Sequence, residues 1–346
     1  MAGPVDPAIG DRSNRRRKRN TAIDDILLIE ASFERVRSRI EGLAIRPVVM
    51  DDAGELVAAG GPLTPDAVHP AGVWLDVDVW RSPASQRFLR LALEAPELRW
   101  AQTATAGIDA PIFRQFLDKG VTLTTSHGQA VGIADYVLWG VLDHFQRGPE
   151  RRREQAEREW RVLPFREIET SRWLIVGFGA IGQAVAQRAR AFGAHIVGVR
   201  RSGDSHPLAD QVVEPEDLAS ALPEADVIVL CAPLDDATRG LVDRDLLARF
   251  KPGSVLVNVG RGALVDEAAL LKSLDLGCPA HAILDVFAVE PLPAASPIWA
   301  HPAVHVTAHT AWASSRLAAR NDAQFVENLR RFSTGEPLLN QVATRA

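Results

Sequence analysis

The sequence predicts an α/β fold built from two successive series of βα units, the second of them a doubly wound parallel sheet. Short apolar runs alternate with helical stretches along nearly the whole chain, the pattern that parallel sheets with crossover helices produce. The alternation pauses once, at an apolar helix followed by a charge-dense one (130–160), and then restarts. A chain of 346 residues with 47% hydrophobic content has room for two cores.

Residues 1–20 contain the basic run Arg15–Arg19 among Pro, Gly, Asp and Asn, and read as a solvated tail. Residues 21–42 read as an amphipathic helix, with Thr21 as N-cap, Asp24 in the capping-box position and Gly42 as the stop. Strands are expected at 46–51, 72–78, 98–104 and 121–126, with helices at 85–95 and 110–120. The long helix 130–147 is apolar, whereas 149–160 carries mixed charge and reads as a solvated helix. Six strands follow, at 173–177, 195–200, 226–233, 254–260, 281–287 and 304–309. The last segment, 314–332, sets Leu317, Asn321, Phe325, Leu329 and Phe332 along one side, as expected of a helix returning to the first βα series.

Composition narrows the function classes. A formal net charge of −5 gives no general attraction to nucleic acid or to an anionic membrane, so neither is expected as a partner. Only Cys231 and Cys278 occur, which speaks against a disulfide framework or a cysteine metal site and for a reducing, cytoplasmic compartment. No apolar run approaches the roughly 20 residues that span a bilayer. No signal-peptide pattern is read at the N-terminus, and no metal ligands are proposed.

The first chemical signal is Gly177, Gly179 and Gly182, a GxGxxG turn between a buried strand and a slim helix that opens with Ala180 and Ile181. In that setting the first glycine makes the tight turn, the second lets backbone approach a pyrophosphate and the third lets helix and strand pack closely. A dinucleotide is the ligand this predicts. The next strand ends in Arg200, Arg201 and Ser202, where an NAD site places an acid against the ribose 2′-hydroxyl. Two arginines favour the 2′-phosphate of NADP(H). NAD(H) stays possible, with Asp204 as a displaced acid.

Further along, Pro233, Arg261, Glu290 and His309 each fall at or just beyond the carboxyl end of a predicted strand, the edge where open α/β sheets bind ligands. A guanidinium can hold a carboxylate. An imidazole can exchange the proton that accompanies hydride transfer, and a neighbouring carboxylate can orient it and favour its charged form.

Taken together, "TATAGID" (103–109), "GFGAIG" (177–182), "CAPLDDATRGLVD" (231–243), "NVGRGALVDEAAL" (258–270), "LDVFAVEPLPAASPIW" (284–299) and "VTAHTAW" (306–312) resemble the D-isomer-specific 2-hydroxyacid dehydrogenase family. The resemblance implies two Rossmann-like or flavodoxin-like domains with the active site in the cleft between them. The boundaries expected are 21–127 with 313–346 for the substrate domain and 128–312 for the dinucleotide domain. By resemblance Arg261 binds substrate, Glu290 partners the histidine and His309 is the general acid/base. The amides of Ala106 and Gly107 hold the substrate carboxylate, and Pro233, Thr238, Gly260 and Asp285 line the coenzyme, Asp285 near the nicotinamide. A homodimer is implied as well. Formate dehydrogenases of the family carry an amide in place of Glu290, which disfavours formate. A small 2-keto or 2-hydroxy acid is the expected substrate, with glyoxylate and hydroxypyruvate leading. Trp312 and the loops around Trp80 and Leu98 are the expected walls of its pocket. Two alternatives stand beside this reading. One is an NAD-dependent dehydrogenase of another 2-hydroxy acid; the other is a dinucleotide-sensing scaffold resembling the C-terminal-binding-protein corepressors, which also carry a Trp soon after their His.

Overall fold

The computed structural model describes residues 23–342, so Thr21 and the basic run lie outside the described residues. Two seven-stranded sheets organise the chain. The first contains β1 (Asp24–Ile29), β2 (Ile45–Met50), β3 (Leu56–Ala58), β4 (Gly61–Leu63), β5 (Pro70–Leu75), β6 (Trp100–Thr103) and β7 (Thr122–Thr124). Its order is β4-β3-β2-β1-β5-β6-β7, parallel from β2 to β7, with β3 antiparallel to both β2 and β4 at one edge.

The helix expected over 21–42 is corrected here. Residues 24–29 are the strand β1, and the helix occupies only Glu30–Ile40. Strand β1 lies at the centre of its sheet, and Ile26, Leu27, Leu28 and Ile29 are all at most 2% exposed. A strand covered on both faces is a continuous apolar run, and such a run carries no alternation to distinguish it from helix. Gly42, with φ of +82°, does terminate the segment. The hairpin over 56–63 was not foreseen from the sequence.

The second sheet contains β8 (Arg172–Val176), β9 (His195–Val199), β10 (Gln211–Val213), β11 (Val227–Leu230), β12 (Val255–Asn258), β13 (His281–Leu284) and β14 (Val304–Val306). Its order is β10-β9-β8-β11-β12-β13-β14, and every pairing is parallel. The six expected strands are present, and β10 adds a short edge. Because all seven run the same way, every strand's carboxyl end meets one edge. The direction of growth reverses between β8 and β11, which makes a crevice at that edge.

Helix packing fixes what each sheet rests on. The apolar helix Ala130–Phe145 buries Val137 and Val141 against Trp173 and Ile175 of the second sheet. Gly140 admits the close approach, since a Cβ there would lie 3.0 Å from Ile283 Cδ1. The C-terminal helix Leu317–Thr334 packs on the first sheet, as expected. Its Phe325 stacks on Trp74 with ring centroids 4.1 Å apart and planes 2° from parallel. Arg35 ties this helix to the sheet edge by contacting Asp76, Asp78 and Asp322. Among the described residues, no helix is long and apolar enough to cross a membrane.

Candidate active site

The glycine turn after β8 meets its expected demands. Gly177 has φ of +97°, and a Cβ on it would fall 2.5 Å from the Ala232 amide nitrogen. A Cβ on Gly182 would fall 2.4 Å from the Gly177 carbonyl oxygen. Gly179 differs, because nothing lies within 4 Å of its Cβ position, so backbone there is open to a ligand. It also caps the helix Ala180–Ala191, whose first N–H groups form an anion site. Ala180 and Ile181 are both half-buried, Ile181 against the core, so the bare Gly179 is the exposed part of the turn. These features fit a dinucleotide pyrophosphate.

Arg200, Arg201 and Ser202 follow β9 directly. The Arg200 amide bonds the Val213 carbonyl at 3.1 Å, which fixes the backbone, while Arg201 and Ser202 are exposed. Among the described residues no carboxylate pairs with either guanidinium. Both are available to a phosphate. Pro233 is exposed at the end of the β11 segment, and Thr238 folds back to donate from Oγ1 to the Pro233 carbonyl at 2.8 Å. Gly260 is buried, its amide donating to Asn258 Oδ1 at 3.1 Å.

His309 is held by Glu290 at its ring and by Asp285 beneath its backbone. Its Nδ1 stands 2.7 Å from Glu290 Oε2, and the other oxygen of Glu290 accepts the Phe287 amide at 2.9 Å. The His309 backbone sits at φ of +52°, a left-handed conformation that costs a non-glycine residue roughly 1–2 kcal/mol. Asp285 offsets that cost. Its backbone carbonyl accepts the His309 amide at 2.8 Å, and its carboxylate accepts from Thr310 N (2.8 Å), Ala311 N (3.0 Å) and Thr307 Oγ1 (2.6 Å). Asp285 was expected to line the coenzyme. Asp285 is 2% exposed and lies beneath the His309 turn, which it supports. Tyr136 extends the same network to the long helix through Thr307 at 2.7 Å, and burial pushes its phenol up to about 12.

Arg261 follows β12, and its side chain crosses to the first sheet's loops. Nε donates to Asp109 Oδ2 at 2.8 Å, Nη2 lies 2.6 Å from the same oxygen, and Nη1 donates to the Gly260 carbonyl at 2.8 Å. Gly107 is what lets the guanidinium in, since a Cβ there would be 1.7 Å from Nη2. The neighbouring amide differs from expectation. With the Gln129 side-chain amide turned to satisfy both its ends, Gln129 accepts from Ala106 N at 2.9 Å, so that N–H braces the loop. Arg261 and His309 reach the same edge through packed backbone. A Cβ on Gly262 would fall 1.8 Å from the Phe287 carbonyl carbon, and Phe287 bonds Glu290, which holds His309.

The expected pocket walls divide. Trp80 is 43% exposed, close after the carboxyl end of β5, and Trp312 anchors its indole N–H on the His309 carbonyl at 2.7 Å. Leu98 is 7% exposed, a core residue before the amino end of β6, and cannot face the carboxyl edge. Asp109, Gln129, Asn258 and Tyr136 carry contacts that were not assigned from the sequence. Asn258 alone left a signal, as a polar residue ending an otherwise apolar strand.

The chain is similar to proteins already known. Residues 138–311 match the family model described as "D-isomer specific 2-hydroxyacid dehydrogenase, NAD binding domain". The chain is 31% identical over 265 residues to glyoxylate/hydroxypyruvate reductase A of Serratia proteamaculans, covering 75% of this chain and 82% of that one. Among solved structures, a D-isomer specific 2-hydroxyacid dehydrogenase from Xanthobacter autotrophicus in complex with NADPH superposes with a TM-score of 0.74 at 30% identity, covering 92% of this chain and 98% of the other. An NADPH-dependent glyoxylate/hydroxypyruvate reductase from Sinorhizobium meliloti in complex with NADP gives 0.71 at 25% identity, covering 93% and 98%.

Proposed function

The chain belongs to the D-isomer specific 2-hydroxyacid dehydrogenase family, and from that premise we propose that it reduces a small 2-keto acid, with glyoxylate or hydroxypyruvate foremost, using NADPH. The observation that carries this reading is the His309–Glu290 pair, 2.7 Å apart on the same sheet edge as the open glycine turn. A scaffold that only senses dinucleotide has no use for an imidazole oriented by a carboxylate, so the corepressor-like reading is not favoured.

In this reading Gly177, Gly179, Ala180, Ile181 and Gly182 cradle the pyrophosphate, and Arg200, Arg201 and Ser202 hold the 2′-phosphate. Pro233, Thr238 and Gly260 border the rest of the coenzyme. When bound, the nicotinamide supplies the hydride that C2 of the keto acid accepts. Arg261 and the Gly107 amide hold the substrate carboxylate. Because Glu290 occupies Nδ1, His309 presents Nε2 to the forming alkoxide and donates its proton there, giving the 2-hydroxy acid. We assign 21–127 with 313–346 to the substrate domain and 128–312 to the dinucleotide domain.

A homodimer belongs to the same proposal. Exposed Trp139 and Phe192 border an apolar depression along the long helix, and the extended stretch after the charged helix exposes Trp160, Val162 and Phe165. Apolar surface of that kind marks association. A cytoplasmic location is in keeping with two free cysteines. The test is NADPH oxidation across a panel of 2-keto acids, with NADH in parallel. Turnover of glyoxylate or hydroxypyruvate with NADPH preferred is expected. Failure of every 2-keto acid to support oxidation would overturn the reading.

A further inference from the structure

Asp109 sits in the loop beyond β6, on the first sheet's side, and Arg261 in the loop beyond β12 of the second. Among the described residues theirs is the ion pair that joins the two sheets' halves of the molecule. The contact has a particular geometry. Asp109 takes the Nε–Nη2 edge of the guanidinium through one oxygen, and the Gly260 carbonyl takes Nη1. A guanidinium has five N–H donors, and those left on Nη1 and Nη2 have no protein acceptor among the described residues. The loop bearing Asp109 is itself braced, since Thr105 Oγ1 donates to the Gly107 carbonyl at 2.7 Å and Gly107 lies against Nη2.

We propose that Asp109 is a positioning residue for the keto-acid carboxylate: it grips one edge of Arg261 so that the remaining Nη1 and Nη2 donors face the substrate. This deepens the function proposed above and rests on it. Arg261 has a flexible side chain that is 33% exposed, and without a partner on its Nε edge it would sample many rotamers. Holding it in advance removes that ordering cost from substrate binding.

Simple electrostatics predicts the opposite sign. Asp109 is an anion beside the place where an anionic substrate docks, so removing its charge should, by attraction alone, tighten binding. Both groups are open to solvent, where charges a few ångströms apart interact weakly, whereas a misaligned guanidinium forfeits directional charge-assisted bonds. Positioning therefore outweighs repulsion.

The test is Asp109→Asn in the full chain, assayed with NADPH and glyoxylate, together with oxalate binding to the NADPH-loaded protein measured by calorimetry. KM for glyoxylate and Kd for oxalate should each rise about tenfold, with kcat changing less than KM and NADPH affinity unchanged. In an Arg261→Lys background, which has no Nε edge to grip, the same substitution should add no further loss. A wild-type or lower KM for Asp109→Asn, or an equal additional loss in the Arg261→Lys background, overturns the proposal while leaving the dehydrogenase reading intact. A wild-type protein that reduces no 2-keto acid removes both.

Discussion

Gly262 is pressed so closely against Phe287 that a Cβ would fall 1.8 Å from the Phe287 carbonyl carbon and 2.1 Å from its oxygen. This contact joins the Arg261 loop to the Glu290 turn, and through Glu290 to His309. Gly262→Ala must therefore part the two segments. Overpacking of a tight site costs roughly 1–3 kcal/mol, and shifting Arg261 relative to His309 should lower kcat/KM for the keto acid by about tenfold or more. Steady-state kinetics with a parallel thermal melt checks this, and wild-type values in both would refute it.

His309→Gln removes the proton donor and keeps a side chain of similar size. It should lower kcat by about two to four orders of magnitude. The glycine turn and Arg200 lie beyond other strands, so NADPH affinity, followed by quenching of tryptophan fluorescence, should stay within about twofold. Retention of full activity would remove His309 from the proton transfer.

Arg200→Ser tests the coenzyme assignment. A hydrogen bond to a charged group contributes about 1.5–3 kcal/mol, so KM for NADPH should rise roughly tenfold or more. KM for NADH should barely move, because NADH has no 2′-phosphate to lose. Equal effects on the two coenzymes would show that Arg200 does not read the phosphate.

His281 and His144 stack with ring centroids 4.4 Å apart and planes 11° from parallel. Burial, helped by the neighbouring His144 and His305, pushes His281 down to about 3, and burial lowers His144 and His305 as well. Asp143 opposes this at His281, but burial prevails. The folded state thus keeps His281 neutral between its ordinary value of 6.5 and about 3, while the unfolded chain takes up a proton there. Stability is fully present above about 6.5 and declines as pH falls through that window. Urea midpoints should drop between about pH 7 and pH 5 in wild type, and drop less in His281→Asn. Parallel slopes for the two proteins would exclude the stack as the source.

Much of the site was legible because of one topological fact. Alternating βα units force a parallel sheet, and a parallel sheet delivers every strand's carboxyl end to one edge. Gly177, Arg200, Pro233, Arg261, Glu290 and His309 could therefore be placed together without knowledge of any contact, and the parallel order of the second sheet brings them there. Residues whose roles depend on facing another segment were not legible in that way. Asp109 stood inside a motif yet had no visible partner, since Arg261 is 152 positions away. Leu98 was misplaced to the pocket although it opens the strand expected at 98–104, because which end of the first sheet faces the site is a tertiary property.

The sequence by itself determined the alternation of elements, the glycine turn and the charge at the end of β9, because each depends on neighbours a few residues apart and on local backbone sterics. Only the tertiary structure decided that residues 24–29 are a central strand, that Asp285 supports the His309 turn and that Asp109 grips Arg261. Burial on both faces, satisfaction of a hidden carboxylate and pairing between distant loops are properties of chain segments brought together by folding, and no local pattern encodes them.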